Sequence, residues 1–164
     1  MASTEDLRRI ALLEDMTDQM LDQLVPMVEA ASFDERQVIY EAGDRADHFY
    51  LLKRGKVLLE AELAPGLIIS LGAIKPGYSF GWSALVPAAV HTSYAVSAEP
   101  SEIFALPGDK LVAVLDRDHT MGYLMMQKAT RILKNRLERR TAQFLKVITR
   151  HPDIGKLLGL AVAT

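Results

Sequence analysis

The hydrophobic residues of this chain change their spacing twice, near residue 31 and again near residue 107. Before residue 31 they recur every three or four positions, which is the spacing of one face of a helix. The clearest run follows Thr17, a residue type that caps helix N-termini, and its apolar stripe comprises Met20, Leu21, Leu24, Met27 and Val28. The pattern predicts an N-terminal helical segment over residues 1–30, in which Pro26 kinks or shortens the last helix.

Between residues 31 and 107 the apolar residues alternate or form short runs, and glycine-containing turns separate these runs. The segment from Lys53 to Lys56, which contains Gly55, is predicted to be a tight reversal between two strands. Strands joined by short turns, with no helix between them, favour an antiparallel roll over alternating strands and helices. The interpretation is a mainly β fold with flanking helices, in which residues 31–107 form the roll.

Residues 108–150 return to helical spacing. A short helix from Lys110 to Leu115 is predicted, with Asp109 as its cap. A long helix then follows, from about His119 to Arg150, and Asp118 is placed at its start. Its apolar residues recur at three and four positions and are Met125, Ala129, Ile132, Leu133, Leu137, Phe144, Leu145 and Ile148.

The length of that final helix indicates that another surface covers it, because an isolated helix is marginally stable in water. We expect a homodimer through this C-terminal helix, and the alternative is that the apolar stripe folds back on its own roll. Pro152 is predicted to end this helix, and residues 151–164 are predicted to be a tail. Because the tail is too short for a helix-turn-helix domain, we expect no sequence-specific nucleic acid binding, and a separate regulator protein is a further candidate partner.

Residues 76–96 are the centre of the functional interpretation. Gly77 and Gly81 bracket a short aromatic segment, and the four residues after Gly81 suit one helical turn. A strand followed by glycine and a helical turn leaves backbone N–H groups unpaired, and these groups favour an anion. We therefore predict a small-anion site, with ligand contacts from Gly81, Trp82, Ser83, Ala84, Leu85, His91, Thr92 and Ser93.

The order of these parts resembles the cyclic nucleotide-binding domain of the catabolite activator and fumarate-nitrate regulator superfamily. Three segments carry the resemblance: Val38–Asp44, Phe49–Val57 with Gly55-Lys56-Val57 at its end, and Pro76–Gly81. The resemblance implies an eight-stranded jelly roll of the double-stranded β-helix type, with N-terminal helices and a long C-terminal helix. It also implies a phosphate-binding cassette at residues 76–96 and a cyclic nucleotide as ligand.

Two positions depart from the family pattern. Nucleotide binders of the family have a Glu where this chain has Trp82, and an indole N–H donates hydrogen bonds but accepts none. The family's phosphate-binding Arg is matched by His91, and no arginine occurs from residue 55 to residue 116. Each lost charge-assisted contact costs about 1.5–3 kcal/mol. Cyclic AMP, cyclic GMP or another small anion therefore stays open as the ligand, and the alternative is a ligand-independent protein-interaction module whose vestigial pocket is filled by Trp82.

The composition of the chain narrows the kinds of site and partner that remain. The chain has no cysteine, which excludes disulfides and thiolate metal sites, and its formal net charge of -2 implies no general attraction to nucleic acid or acidic lipid. Residues 119–150 carry eight lysines and arginines and one glutamate, and a solvated face is favoured over phosphate contact. We expect a cytoplasmic regulatory protein with no membrane segment, no metal site and no enzymatic activity.

Overall fold

The computed structural model describes residues 2–150. The predicted tail at 151–164, including the helix end expected at Pro152, lies outside the described residues. The chain divides into two compact units, one ending at Met125 and one beginning at Met126. The helices and strands, in chain order, are α1 (Thr4–Arg8), α2 (Asp18–Leu24), β1 (Glu29–Phe33), β2 (Val38–Tyr40), β3 (His48–Ala64), β4 (Leu67–Ile74), β5 (Ser79–Phe80), β6 (Tyr94–Pro107), α3 (Gly108–Arg117) and α4 (His119–Arg150).

The described strands form one antiparallel sheet around β3 and β6. The strand order is β1-β6-β3-β4, while β2 pairs with β6 and β5 pairs with β3. Every described pairing is antiparallel, so the alternation and the short turns are accounted for without crossover helices. This arrangement confirms the predicted mainly β jelly roll with flanking helices and a long C-terminal helix.

The tight reversal predicted between Lys53 and Lys56 is wrong. The chain continues through this segment within β3, and the register against β6 shifts between Leu52 and Val57. Gly55 has a φ of 89°, and a side chain there would lie 2.7 Å from the carbonyl oxygen of Pro100. The glycine therefore permits a bulge where β3 approaches β6 closely, rather than a change of direction.

Local capping chemistry accounts for the start of two helices. The Thr17 side chain accepts a hydrogen bond from the backbone N–H of Met20, 3.3 Å away, and caps α2. Asp118 accepts from the backbone N–H of Met121 at 3.0 Å, and α4 begins at the next residue. The positions of both caps confirm the sequence-based predictions.

The predicted cap at Asp109 is wrong, because the N-cap of α3 is Pro107. Helix α3 starts at Gly108, and Asp109 lies in its first turn. An added side chain at Gly108 would lie 3.1 Å from Cβ of Ala84. This glycine therefore lets the start of α3 pack directly on the turn that contains Ala84, which connects α3 to residues 76–96.

The buried core of the roll includes Phe80 and Ala95 from residues 76–96. Its buried residues are Tyr40, Leu52, Val57, Ile74, Phe80, Ala95 and Ile103. The N-terminal helical segment joins the same region, because the backbone N–H of Ala11 donates to the carbonyl oxygen of Gly77 at 2.8 Å. The predicted site is therefore anchored at its first turn by the segment before β1.

Candidate functional site

The predicted helical turn after Gly81 is present as a 3₁₀ turn over Trp82–Leu85. Gly81 opens it with φ 72° and ψ 33°, the left-handed conformation that glycine tolerates best. A side chain at Gly81 would lie 2.7 Å from Cδ2 of Tyr50 and 3.0 Å from the carbonyl oxygen of His48. Both the backbone conformation and the space therefore require glycine at this position.

The backbone amides of this turn are partly engaged within the protein. The N–H of Ala84 donates to the carbonyl oxygen of Gly81 at 3.1 Å, and the N–H of Val86 donates to that of Ser83 at 3.0 Å. The Gly81 backbone forms a hydrogen bond with the Tyr40 hydroxyl. A ligand at this turn thus meets two amides that the turn itself uses and a Gly81 backbone that is bonded to Tyr40.

His91 is buried, with 4% of its surface exposed. Its imidazole stacks on the ring of Tyr40, with centroids 3.5 Å apart and ring planes inclined by 7°. Its backbone N–H donates to the carbonyl oxygen of Asp44, and its carbonyl oxygen accepts from the N–H of Gly43, both at 2.8 Å. These contacts hold the end of the cassette loop against the turn between β2 and β3.

Burial lowers the pKa of His91 below its ordinary value, although the nearby carboxylates of Asp44 and Asp47 act in the opposite direction. Desolvation disfavours the charged form of an imidazole. Arg45, in the turn between β2 and β3, has its guanidinium 2.7 Å from Asp47 and a side chain that is 81% exposed. The imidazole of His91 is therefore neutral at pH 7, and residues 76–96 contain no lysine or arginine.

Tyr40 is the site residue that sequence reasoning missed. Its hydroxyl forms hydrogen bonds with the Ser93 side chain and the Gly81 backbone, and burial together with nearby Tyr50 raises its pKa, so the phenol stays protonated. The available signal was its position, because it lies inside the first segment that resembles the family, three residues before Gly43. Its apolar neighbours made it resemble an ordinary core residue.

Two further rings, those of Tyr50 and Phe80, lie next to the Tyr40–His91 stack. Tyr50 lies 5.6 Å from Tyr40 and stacks on Phe80 at 5.1 Å, while Phe80 lies 6.1 Å from Tyr40. Aromatic pairs at such distances contribute about 0.5–1.5 kcal/mol beyond the burial of their area. The inner wall of the site is therefore a packed aromatic cluster of Tyr40, Tyr50, Phe80 and His91.

Trp82 does not share this wall with His91. Its indole meets the ring of Phe49 edge-on, with centroids 5.2 Å apart and planes inclined by 79°. Phe49 and Tyr50 are consecutive residues of β3, so their side chains point to opposite faces of the strand. The structure therefore separates Trp82, on the Phe49 face, from His91, on the Tyr50 face, although both were expected in one pocket.

The remaining predicted contacts differ in their surroundings. Ser93 is buried beside Tyr40, Thr92 is exposed, and Ser83 and Leu85 are half-buried. Ala84 is buried against the start of α3. The structure thus brings Gly81, Ser93 and His91 together around Tyr40, while Trp82 and Ala84 pack against other parts of the protein.

The family model of the cyclic nucleotide-binding domain matches residues 30–118, which is more than half of the chain. The chain belongs to the cyclic nucleotide-binding domain family. The match runs from the second residue of β1, through the turn at Gly81, to the end of helix α3. No curated protein matches the chain at a significant level.

Solved structures of the same fold support this assignment. The chain is similar to a proposed cyclic nucleotide-binding protein from Geobacter metallireducens GS-15, with 26% identity, a TM-score of 0.73, and coverage of 84% of this chain and 99% of that one. It shares the fold of the Thermus thermophilus catabolite activator protein, with 22% identity, a TM-score of 0.69, and coverage of 84% and 62%. It also shares the fold of the regulatory domain of Toxoplasma gondii PKA in complex with cAMP, with 19% identity, a TM-score of 0.60, and coverage of 68% and 42%.

Residues 2–150 contain neither a metal-binding cluster nor a membrane-spanning helix. No group of three or more His, Asp or Glu side chains in this part of the chain is arranged to hold a metal ion. None of its helices combines the length and apolar character that crossing a membrane requires.

Proposed function

We propose that this chain is a ligand-sensing regulatory domain that binds a small anion of the cyclic nucleotide class and signals through α4. The observation that carries the proposal is the left-handed Gly81, which opens a short turn at the family's cassette position beside Ser93 and His91. The cassette is non-standard, because Trp82 and His91 stand where the family has Glu and Arg. Its contacts to the ligand are therefore backbone amides, the hydroxyls of Ser83, Thr92 and Ser93, and the His91 imidazole.

The chemistry of the site favours weak binding of a planar ligand with one negative charge. A neutral imidazole offers a single hydrogen bond in place of a guanidinium fork. The aromatic cluster of Tyr40, Tyr50, Phe80 and His91 offers ring faces on which a base can stack. Cyclic AMP is the first probe to test, because the Toxoplasma gondii neighbour holds it.

The route for the signal begins at the turn itself. Ala84 of the turn packs on Gly108 at the start of α3, and α3 ends at Arg117, two residues before α4 begins at His119. A ligand shifts these helices only if it contacts their two arrangements differently. A ligand that reorganises the Gly81–Leu85 turn would meet that requirement, because the turn and α3 are in direct contact.

The described part of the second unit supports a homodimer through α4. Its exposed large apolar residues are Met126, Leu133, Leu137, Phe144, Leu145 and Val147. Apart from Leu145, these residues are seven, four, seven and three positions apart, which is the spacing of a coiled-coil seam. A second copy of the helix would remove this seam from water. A separate regulator protein with a matching helix is the alternative partner.

The alternative function is a ligand-independent interaction module. The packing of Tyr40, Tyr50, Phe80 and His91 favours it, because these rings already occupy the inner wall of the site. In that case the Tyr40 hydroxyl is the permanent partner of the Gly81 amide.

Titration with cyclic AMP and cyclic GMP separates the two functions. Isothermal calorimetry measures binding directly, and the emission of Trp82, the single tryptophan, reports on the turn against Phe49. Saturable heat with a change in emission supports sensing. Absence of heat at millimolar ligand, with unchanged Trp82 emission, supports the interaction module.

A further inference from the structure

His91 has an unexplained feature. It is one of the few buried polar residues, with 4% exposure, and its two hydrogen bonds within residues 2–150 come from its backbone. No hydrogen bond to its ring nitrogens is present in that part of the protein. The imidazole stacks on Tyr40 near the Gly81 turn, so a ligand bound at that turn lies close to it.

The groups around the ring can tolerate a positive charge on it. The Tyr40 face lies 3.5 Å away, and aromatic faces attract cations. Asp44 and Asp47 act on His91 from the turn between β2 and β3, and Arg45 from the same turn is paired with Asp47. Tyr50 is the other titratable group in the aromatic cluster, and burial followed by Asp47 raises its pKa, so it stays neutral.

No other residue of the cassette can become a cation. Residues 76–96 contain no lysine, no arginine and no second histidine. An anion bound at the Gly81 turn therefore has His91 as its one possible counter-charge from this segment. An anion close to a histidine favours the protonated, positively charged imidazole and so raises its pKa.

We propose that the site takes up its anion together with one proton, which converts the His91 imidazole to an imidazolium. This inference rests on the proposed function, because it concerns regulation of the same site. The protein then responds to pH as well as to the anion, because it binds the anion more tightly as the pH falls.

The direction follows from linkage. In the ligand-free protein burial lowers the pKa of His91, and the bound anion raises it. Affinity therefore increases as the pH falls through the higher, ligand-bound pKa, and levels off below the lower, ligand-free one. Each unit between the two values corresponds to about a tenfold gain in affinity.

The decisive experiment is calorimetry with cyclic AMP, cyclic GMP and sulfate from pH 5.5 to pH 8. These anions keep their charge across the range, unlike inorganic phosphate. Titration in two buffers of different ionisation enthalpy gives the number of protons taken up. We expect uptake approaching one proton per anion and binding about tenfold tighter at pH 6 than at pH 8. Imidazole NMR of the wild-type protein should show the pKa of His91 rising when the anion is added.

The variant His91→Gln tests the assignment of the proton, because glutamine stays neutral at every pH. It should abolish proton uptake and flatten the pH dependence, while His119→Gln, which changes an exposed histidine, should keep both. If His91→Gln does not fold, the wild-type proton count and NMR titration still decide. Saturable binding without proton uptake overturns this inference alone. Absence of saturable binding by all three anions at every pH overturns the proposed function and this inference together.

Discussion

The imidazole of His91 lies flat on the phenol ring of Tyr40, with centroids 3.5 Å apart and planes inclined by 7°. The Tyr40 hydroxyl in turn bonds to the Gly81 backbone and the Ser93 side chain. One tyrosine therefore connects the first residue of the cassette turn to two residues at the end of the cassette loop. A ligand that reaches the Gly81 backbone would compete with the Tyr40 hydroxyl for it.

The variant Tyr40→Phe tests that connection. The ring stays, so the stack on His91 is preserved, while the hydrogen bonds to Gly81 and Ser93 are lost. We expect a loss of about 0.5–1.5 kcal/mol in the free energy of unfolding in urea, and faster amide hydrogen exchange at Gly81. Tyr78→Phe is the matched control, because Tyr78 is 46% exposed and should change neither quantity. Unchanged exchange at Gly81 in Tyr40→Phe would contradict the connection.

Gly81→Ala tests whether the turn requires glycine for its space as well as its conformation. Gly66→Ala is the matched control, since Gly66 has a φ of 78°, close to the 72° of Gly81, but nothing lies within 4 Å of an added side chain. The control should cost about 1–2 kcal/mol from backbone strain alone. Gly81→Ala should cost about 2 kcal/mol more, because Tyr50 and the His48 carbonyl must move. Equal free energies of unfolding for the two variants would mean that Tyr50 and the His48 carbonyl move aside at little cost.

The pH dependence of stability tests the burial of His91. Because its pKa is lowered in the folded protein, the unfolded chain binds the proton more readily. Stability is therefore complete above about pH 6.5, the ordinary histidine value, and is lost as the pH falls through the folded-state pKa. Thermal unfolding without ligand, followed from pH 7.5 to pH 5, should show this loss in the wild type and in His119→Gln. The same loss in His91→Gln would assign the effect to another group.

Local chemistry was enough to predict some features of the fold. Thr17 and Asp118 were predicted helix starts because a short polar side chain before an apolar helical stripe satisfies free amides. Gly81 was placed at a turn for a comparable reason. Gly55 shows the limit, since a glycine with positive φ serves a tight turn and a bulge equally well. What decides between them is Pro100 and Ser101 on β6, more than 40 residues along the chain.

Which side chains share the candidate site was also hard to predict, because contacts between distant parts of the chain decide it. The family resemblance placed Trp82 and His91 in one pocket, but they lie on opposite faces of β3, because Phe49 and Tyr50 point in opposite directions. Tyr40 lies far from residues 76–96 in sequence, and its pairing with β6 brings it next to Ser93. Contacts of this kind depend on strand register, which spacing within one segment does not encode.

The variant Leu137→Glu tests the proposed seam on α4. Leu137 is 67% exposed and lies at the middle of the apolar spacing that runs from Met126 to Val147. A charge there would be buried without a partner in a two-helix seam, so the dimer should dissociate while the monomer stays folded. Sedimentation velocity measures the outcome. Leu63→Glu is the matched control, since Leu63 is 65% exposed at the end of β3 and its replacement should leave the sedimentation coefficient unchanged. A wild-type protein that sediments as a monomer at every concentration, or a Leu137→Glu variant that remains a dimer, would mean that another surface covers this helix.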